Sequence, residues 1–572
     1  MIKKALLVYL FTFGLYFNNY TQQEPVQERV YPQKYFRYPL DLAPSTVGSF
    51  GELRPNHFHA GLDFRTNQRK GYPVRAAADG YISRIRVQFG GGGNIVYIDH
   101  PNGFTTVYMH NDSFNDAITN AVRAYQHQKQ QYDVDFNLPP NQIEICQGDV
   151  IAISGASGAV EGPHVHFEIR DTKSEEIINP QLFGITVPDR VAPYINAIGI
   201  YHLGNNPFSE KTPHQFLAVT GAGSNYKLAS PKVINVNGNI GFGITAYDRN
   251  SASSSRNGIY SVELKLDGST VYTYAADRFA FDQTHAINAH IDYPSLLTYG
   301  RWMQKCFIMP GNKLSLYPQS VNRGIINFND DELHEVEYVV KDIAGNTSSL
   351  KLKVKSSPLE DEPAAKINGT LFRYDQKSEF TNDRVKVSIM PGNLYDNLDF
   401  NYATLPMRAG AFSATHHIHN RFTPIHDSYD LWIKPDRGLG ELADKAVIVS
   451  TAGAYAGGIF EDGFVKAKPK AFGDFYIKLD DVPPRIVPVN ISQGKNMAKL
   501  RRISLRISDN LSGIKTYSGK IDGEWVLMEW DYKTKVLSYT FDSGFDTGKH
   551  TFELTVTDNK SNVTQFKADF YR

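Results

Sequence analysis

The chain has 572 residues, and at about 150 residues per domain it should hold three to four domains. With 41% apolar and 21% charged residues, wholesale disorder is excluded and a folded, soluble chain is expected. Lys+Arg and Asp+Glu both total 60, so there is no basic excess for phosphate backbones, and nucleic acid is excluded as the main partner. Two cysteines, Cys146 and Cys306, are too few for a disulfide framework or a Cys-type zinc site. Any metal must fall to carboxylates and to some of the 17 histidines.

Lys3 and Lys4 precede an apolar run, Ala5 to Phe17, that turns polar at Asn18. A bilayer helix needs roughly 20 apolar residues, so the run has the length and charge order of a secretory signal. A signal peptide over 1–20 is expected, with a mature chain exported to the periplasm, cell envelope or exterior and no integral membrane segment in it.

From about Tyr38 to Gly184, short alternating runs are separated by glycine turns. Asn94 to His100 and Phe104 to His110 read as two strands joined at Pro101-Asn102-Gly103. Gly90 to Gly93 reads as a loop, because the Lys-Ser/Thr and helix of a phosphate loop do not follow. Asn115 to Gln131 is predicted as a helix, capped by Asn115 or Asp116 with Ile118, Val122 and Tyr125 on one face. Asp135 to Pro140 should end it, closing a helical insertion over about 115–140.

Beyond residue 185, three blocks recur in the same order. Asp189-Arg-Val-Ala-Pro193 matches Asp480-Asp-Val-Pro-Pro484, and Asn257-Gly-Ile matches Ser512-Gly-Ile. His334 to Asp342 matches His550 to Asp558, each with an asparagine four residues on, Asn346 and Asn562. This is an internal duplication of period-2 strands with Asp-Gly turns, which predicts immunoglobulin-like β-sandwiches at 189–356 and 480–572. A third β-rich region should occupy 357–479.

Two segments carry the candidate chemistry. In Asn56-His-Phe-His59-Ala-Gly61-Leu-Asp63-Phe64, Pro55 and Gly61 disfavour a helix, and an extended chain puts His59, Gly61 and Asp63 on one face. Gly61 is then expected to leave room for a metal between two ligands. In Gly162-Pro-His164-Val-His166-Phe-Glu168-Ile169, His164, His166 and Glu168 share one face and Val165, Phe167 and Ile169 the other. One of the two imidazoles can bind a metal while its neighbour stays within reach, and His110 ends a nearby strand. Two His and one Asp suit Zn²⁺ and leave a coordination position open, with a net charge near +1 that acidifies bound water. There is no HExxH: His334-Glu335 comes nearest, but Tyr338 replaces the second histidine, so a peptidase built here must use histidine as its base.

The order HxxxD, a strand-end Tyr-x-His after an Asn-Gly hairpin, Ser-Gly-x-x-Gly and Gly-Pro-His-x-His-Phe-Glu resembles the LytM/lysostaphin-like zinc metallopeptidases of cell-wall turnover over about 38–184. The resemblance implies an antiparallel β peptidase domain with a narrow zinc groove, here carrying the helical insertion; with the Ig-like β-sandwich domains that follow, the chain is expected to be mainly β. It implies His59, Asp63 and His166 as zinc ligands and His110 and His164 as the catalytic pair, acting on peptidoglycan cross-link peptides. Two alternatives are a non-catalytic envelope regulator or amidase activator and a secreted protease acting on proteins. The C-terminal β-domains are expected to position the enzyme or to bind an envelope partner. His57 is an extra histidine that could compete as a ligand. His416, His417, His419 and His426 read as a solvated strand and loop with no carboxylate near except Asp427, and Cys146 and Cys306 as buried thiols.

Overall fold

Alternating apolar positions drive this chain into sheets, and the computed structural model, which describes residues 30–358 and 366–572, is 45% strand against 8% helix. The expected signal peptide lies outside the described residues. Among the described residues, no helix is long and apolar enough to cross a membrane.

The first sheet is antiparallel. Its strands are β1 (Thr46–Gly48), β2 (Leu62–Arg65), β3 (Gly80–Val87), β4 (Asn94–Asp99), β5 (Phe104–Met109), β6 (Val134–Asn137) and β7 (His164–Asp171), in the order β1-β2-β7-β5-β4-β3-β6. β7 is therefore central, with Asp63 of β2 opposite His166 on one side and Met109 of β5 on the other. Leu62, Phe64, Val165, Phe167 and Ile169 are all fully buried and point away from the histidine face. Phe167 meets Tyr108 and Phe64 with ring centroids 5.4 and 5.9 Å apart. Burial of side chains of this size contributes about 1.5–3 kcal/mol each, and it fixes the register, because a one-residue slip would send the histidines into the core. The β4–β5 turn closes through Gly103 at φ 83°.

Helix α1 (Asp116–Lys129) starts where the Asn115 side chain accepts the Ile118 amide at 3.0 Å. Ile118 and Val122 are buried beneath it, and Tyr125 stacks on Phe136 at 4.2 Å. Asp135 to Pro140 is more than a terminator: Val134–Asn137 forms β6 along β3, because Val134 is buried and Phe136 supplies the stacking face. That alternation is too short to stand out from the sequence.

The sheet runs on past β7. β8 (Ile177–Ile178) pairs with β7 and also with Arg278–Phe279 of the following region. Phe50 and Phe58 pack on Phe279, and the Phe58 amide donates to Thr284 Oγ1 at 2.9 Å. One apolar core consequently spans Phe36 to Tyr395, while separate cores lie within 372–477 and 491–570. The duplicated blocks adopt matching local structure: His334 Nδ1 donates to Asp267 at 2.6 Å and His550 Nδ1 to Asp522 at 2.7 Å.

The expectation of two buried thiols holds for Cys306 and fails for Cys146, which is exposed in the turn that Asp149 caps. The histidine group near 417 is also corrected. His416 and His419 are buried, and burial pushes both down to about 4. His417 binds Asp474 at 2.7 Å, a carboxylate remote in sequence.

The shared core predicts that Phe167→Ala, at a cost of about 3–5 kcal/mol, lowers one melting transition covering both 38–184 and 189–356. Hydrogen exchange followed through the melt checks this, and separate unfolding of the two stretches would contradict a shared core.

Candidate metal centre

His59, Asp63 and His166 come together from three segments, a hairpin ending at His59, β2 and β7. The chain reverses at Pro55-Asn56, with Asn56 at φ 63°, and returns paired with residues 51–54: His59 N donates to Glu52 O and Gly51 N to His59 O, both at 2.9 Å. That hairpin delivers His59 beside β2 and β7. His59 Nε2 lies 3.0 Å from Asp63 Oδ1, His166 Nδ1 lies 2.8 Å from the same oxygen, and the two ring nitrogens are 2.9 Å apart. Each offers one ligand atom to a common point. Donors on a tetrahedral ion with bonds of about 2.0–2.1 Å stand roughly 3.3 Å apart, close to this spacing.

The outer atoms of all three candidate ligands are already committed. His59 Nδ1 donates to Ser49 O at 2.7 Å, leaving Nε2 facing inward. His166 Nε2 donates to Glu168 Oε1 at 3.0 Å, leaving Nδ1 inward, and Arg170 binds the other Glu168 oxygen. Arg54 Nη2 donates to Asp63 Oδ2 at 2.6 Å, leaving Oδ1 for the shared point. Such contacts fix the tautomer and orientation of metal-binding histidines and raise their basicity.

Electrostatics follow from burial and partners. Burial drives His59 down to about 4. Burial acts on His166 in the same sense, but the hydrogen bonds it donates to Asp63 and Glu168, with their charges, outweigh it and lift His166 to about 9. Asp63 is held well below the usual carboxylate range by three histidines despite its burial.

The other two candidates flank this point. His110 follows β5 with φ 66°, a left-handed conformation uncommon outside glycine. Its amide donates to Gly92 O at 2.9 Å and its Nδ1 to Ser157 O at 2.9 Å, so Nε2 is bare. Burial, reinforced by His166 and His164, pushes it down to about 3. His164 Nδ1 donates to Gly162 O at 2.9 Å, and its Nε2 stands 3.4 Å from Asp63 Oδ1. The rings of His110 and His164 are 4.8 Å apart. All five sequence candidates thus face one point, whereas His57 is exposed and bonds to Pro55 O.

Gly61 needs a different explanation from the one expected. A Cβ there would sit 2.3 Å from Phe167 O and 3.0 Å from His166 Nε2, so the glycine admits the backbone of β7 and not a metal. Sequence reading missed Arg54, Ser49, Ser157 and Arg170. Three act on partners 9, 10 and 47 residues away, and the two serines enter the site region through backbone carbonyls, which leave no residue-type signal.

Glu168→Gln keeps an acceptor for His166 Nε2 but removes the charge that Arg170 and His166 share. Metal affinity should fall about 10–100-fold, read by competition with a chromophoric chelator; unchanged affinity would show that Glu168 does not support the ligand.

Residues 57–131 match Peptidase family M23, and residues 369–480 match a Zu5-like domain, which accounts for the β-rich region that had no sequence partner. An uncharacterized metalloprotease of Haemophilus influenzae is 31% identical over 166 residues, covering 26% of this chain and 29% of that protein. The DD-carboxypeptidase/endopeptidase Mpg of Neisseria meningitidis is 34% identical over 131 residues, covering 23% and 24%. The peptidoglycan DD-endopeptidase ShyB of Vibrio cholerae is 29% identical over 140 residues, covering 23% and 27%. The chain thus spans less than a third of the length of each of these relatives. The antiparallel β-fold, the family match over 57–131 and these relatives together identify a LytM-like Peptidase family M23 domain in this chain.

Proposed function

We propose that this chain is an exported zinc metalloendopeptidase that hydrolyses peptide cross-links of peptidoglycan, with a peptidase domain at 38–184, Ig-like β-domains at 189–356 and 480–572, and a β-rich domain at 357–479. The observation that carries the reading is the donor set His59 Nε2, Asp63 Oδ1 and His166 Nδ1, whose remaining ring nitrogens and carboxylate oxygen are already occupied by Ser49, Glu168 and Arg54. Two nitrogens and one oxygen with a position left open suit Zn²⁺. Relatives named DD-endopeptidases support the substrate class.

When bound, zinc supplies a Lewis acid that polarises the scissile carbonyl. The chain supplies the rest. His110 and His164 each spend Nδ1–H on a backbone carbonyl and present Nε2 to the space beside Asp63. An imidazole that takes a proton from attacking water at Nε2 becomes a donor there, and can steady the oxyanion or pass the proton to the leaving amine. Burial keeps His110 neutral at neutral pH, so its Nε2 carries a lone pair and no proton.

One observation favours a second reading, in which the C-terminal region regulates the groove. Lys533 Nζ donates to Val160 O at 2.7 Å, four residues before His164, and Trp530 packs on Phe89 at 5.7 Å. A scaffold that activates a partner hydrolase would use the same contact.

Purified full-length protein incubated with sacculi decides between the two. We expect stoichiometric zinc and soluble peptide products, with His164→Ala retaining zinc and losing about 10²–10⁴-fold in rate. A metal-free protein that releases nothing alone but stimulates another hydrolase would establish the regulatory reading instead.

A further inference from the structure

Two groups of three aspartates lie outside the peptidase centre: Asp189, Asp248 and Asp342, and Asp480, Asp509 and Asp558. In each, one oxygen per carboxylate lies within 4.8 Å of the others. They sit in the duplicated blocks, where Asp189 matches Asp480 and Asp342 matches Asp558. Asn346 and Asn562 hold the last aspartate of each trio alike, with both side-chain amides donating at 2.7 Å. Among the described ion pairs, none includes any of the six. Arg249, next to Asp248, is turned onto the rings of Tyr194 and Tyr247.

Acidic clusters are common, and the deciding residue here is uncharged. Asn257 pairs with Asp248 across an isolated antiparallel bridge, exchanging both backbone hydrogen bonds at 2.9 Å. It lines the same cavity of about 40 Å³ as Asp189, Asp248 and Asp342. It is 5% exposed, yet its Oδ1 has no hydrogen-bond partner. Asp248 Oδ1 has none either, and in the second trio Asp480, 1% exposed, again leaves Oδ1 without a partner. A buried acceptor left this way costs about 1–3 kcal/mol, and a set made of acceptors alone can be satisfied only by donors or by a cation.

We propose that each trio is a calcium site, with Asn257 Oδ1 a fourth protein ligand in the first. The donors are all hard oxygens, which favours Ca²⁺ over zinc. Ca²⁺ accepts irregular sets of oxygen ligands at about 2.3–2.6 Å, whereas Mg²⁺ demands near-ideal octahedral geometry at about 2.0–2.1 Å.

The first site also reaches the peptidase centre. Asn250 Nδ2 donates to Thr46 Oγ1 and Gly258 N to Ser49 Oγ, both at 2.8 Å. A Cβ on Gly258 would stand 2.9 Å from Glu52 Cα, so residues 248–258 press directly on the segment whose Ser49 carbonyl orients His59. An ion joining Asp189, Asp248 and Asp342 ties that loop to the following β-region and so braces a metal ligand from behind.

Equilibrium dialysis of the full chain with radioactive calcium, after EGTA treatment and desalting, tests this without reference to hydrolysis. Two ions per chain are expected, one in Asp248→Asn, one in Asp509→Asn and none in the double variant. Calcium at ~1 mM, the range of extracellular modules, should raise the melting temperature by about 5 °C, and not in the double variant. Asn257→Ala, which leaves the carboxylates intact, should weaken one site at least tenfold. Wild-type protein that binds no calcium at this concentration, or a folded double variant that binds as much as wild type, overturns the proposal.

Discussion

The organisation of the peptidase region depends on one register: β2 lies against β7 so that Asp63 faces His166. That pairing places a single carboxylate oxygen within 3.0 Å of two imidazole nitrogens in a buried setting. Desolvating such groups is costly unless each is paired. The surrounding residues do that pairing: Arg54 takes the second Asp63 oxygen, Ser49 the outer nitrogen of His59, and Glu168 with Arg170 the outer nitrogen of His166. Asp63 and Glu168 hold the His166 proton up to about 9, and a metal entering at Nδ1 takes the place of that proton.

The core on the opposite face enforces this arrangement. Val165, Phe167 and Ile169 alternate with the functional side chains and are fully buried, so the residues that do chemistry cannot shift without exposing those that fold the sheet. His110 and His164, like His59, are held by loop carbonyls, those of Ser157 and Gly162. Both carbonyls belong to the loop between residues 154 and 164, which Lys533 of the C-terminal region touches at Val160.

Much of this was legible in the sequence because it is local. The alternation from His164 to Ile169 fixed which residues face the site, and the Asn115 cap with Ile118 and Val122 placed α1. The repeated blocks located matching strands. What escaped was non-local or carried by the backbone. Arg54 and the Ser49 and Ser157 carbonyls reach the site only after folding, and β6 is four residues long. Gly61 was recognised as necessary but for the wrong neighbour, since the close approach of Phe167 O depends on strand pairing. His416 and His419 misled in the opposite sense, because polar composition suggested solvent where a second core closes over them.

X-ray absorption at the zinc edge of the zinc-loaded full chain tests the central claim most directly. Two imidazole nitrogens and at least one oxygen at about 2.0–2.2 Å are predicted, with the bound metal lost in Asp63→Ala. A spectrum with sulfur ligands, or an unchanged one in Asp63→Ala, would place the metal elsewhere and contradict the account.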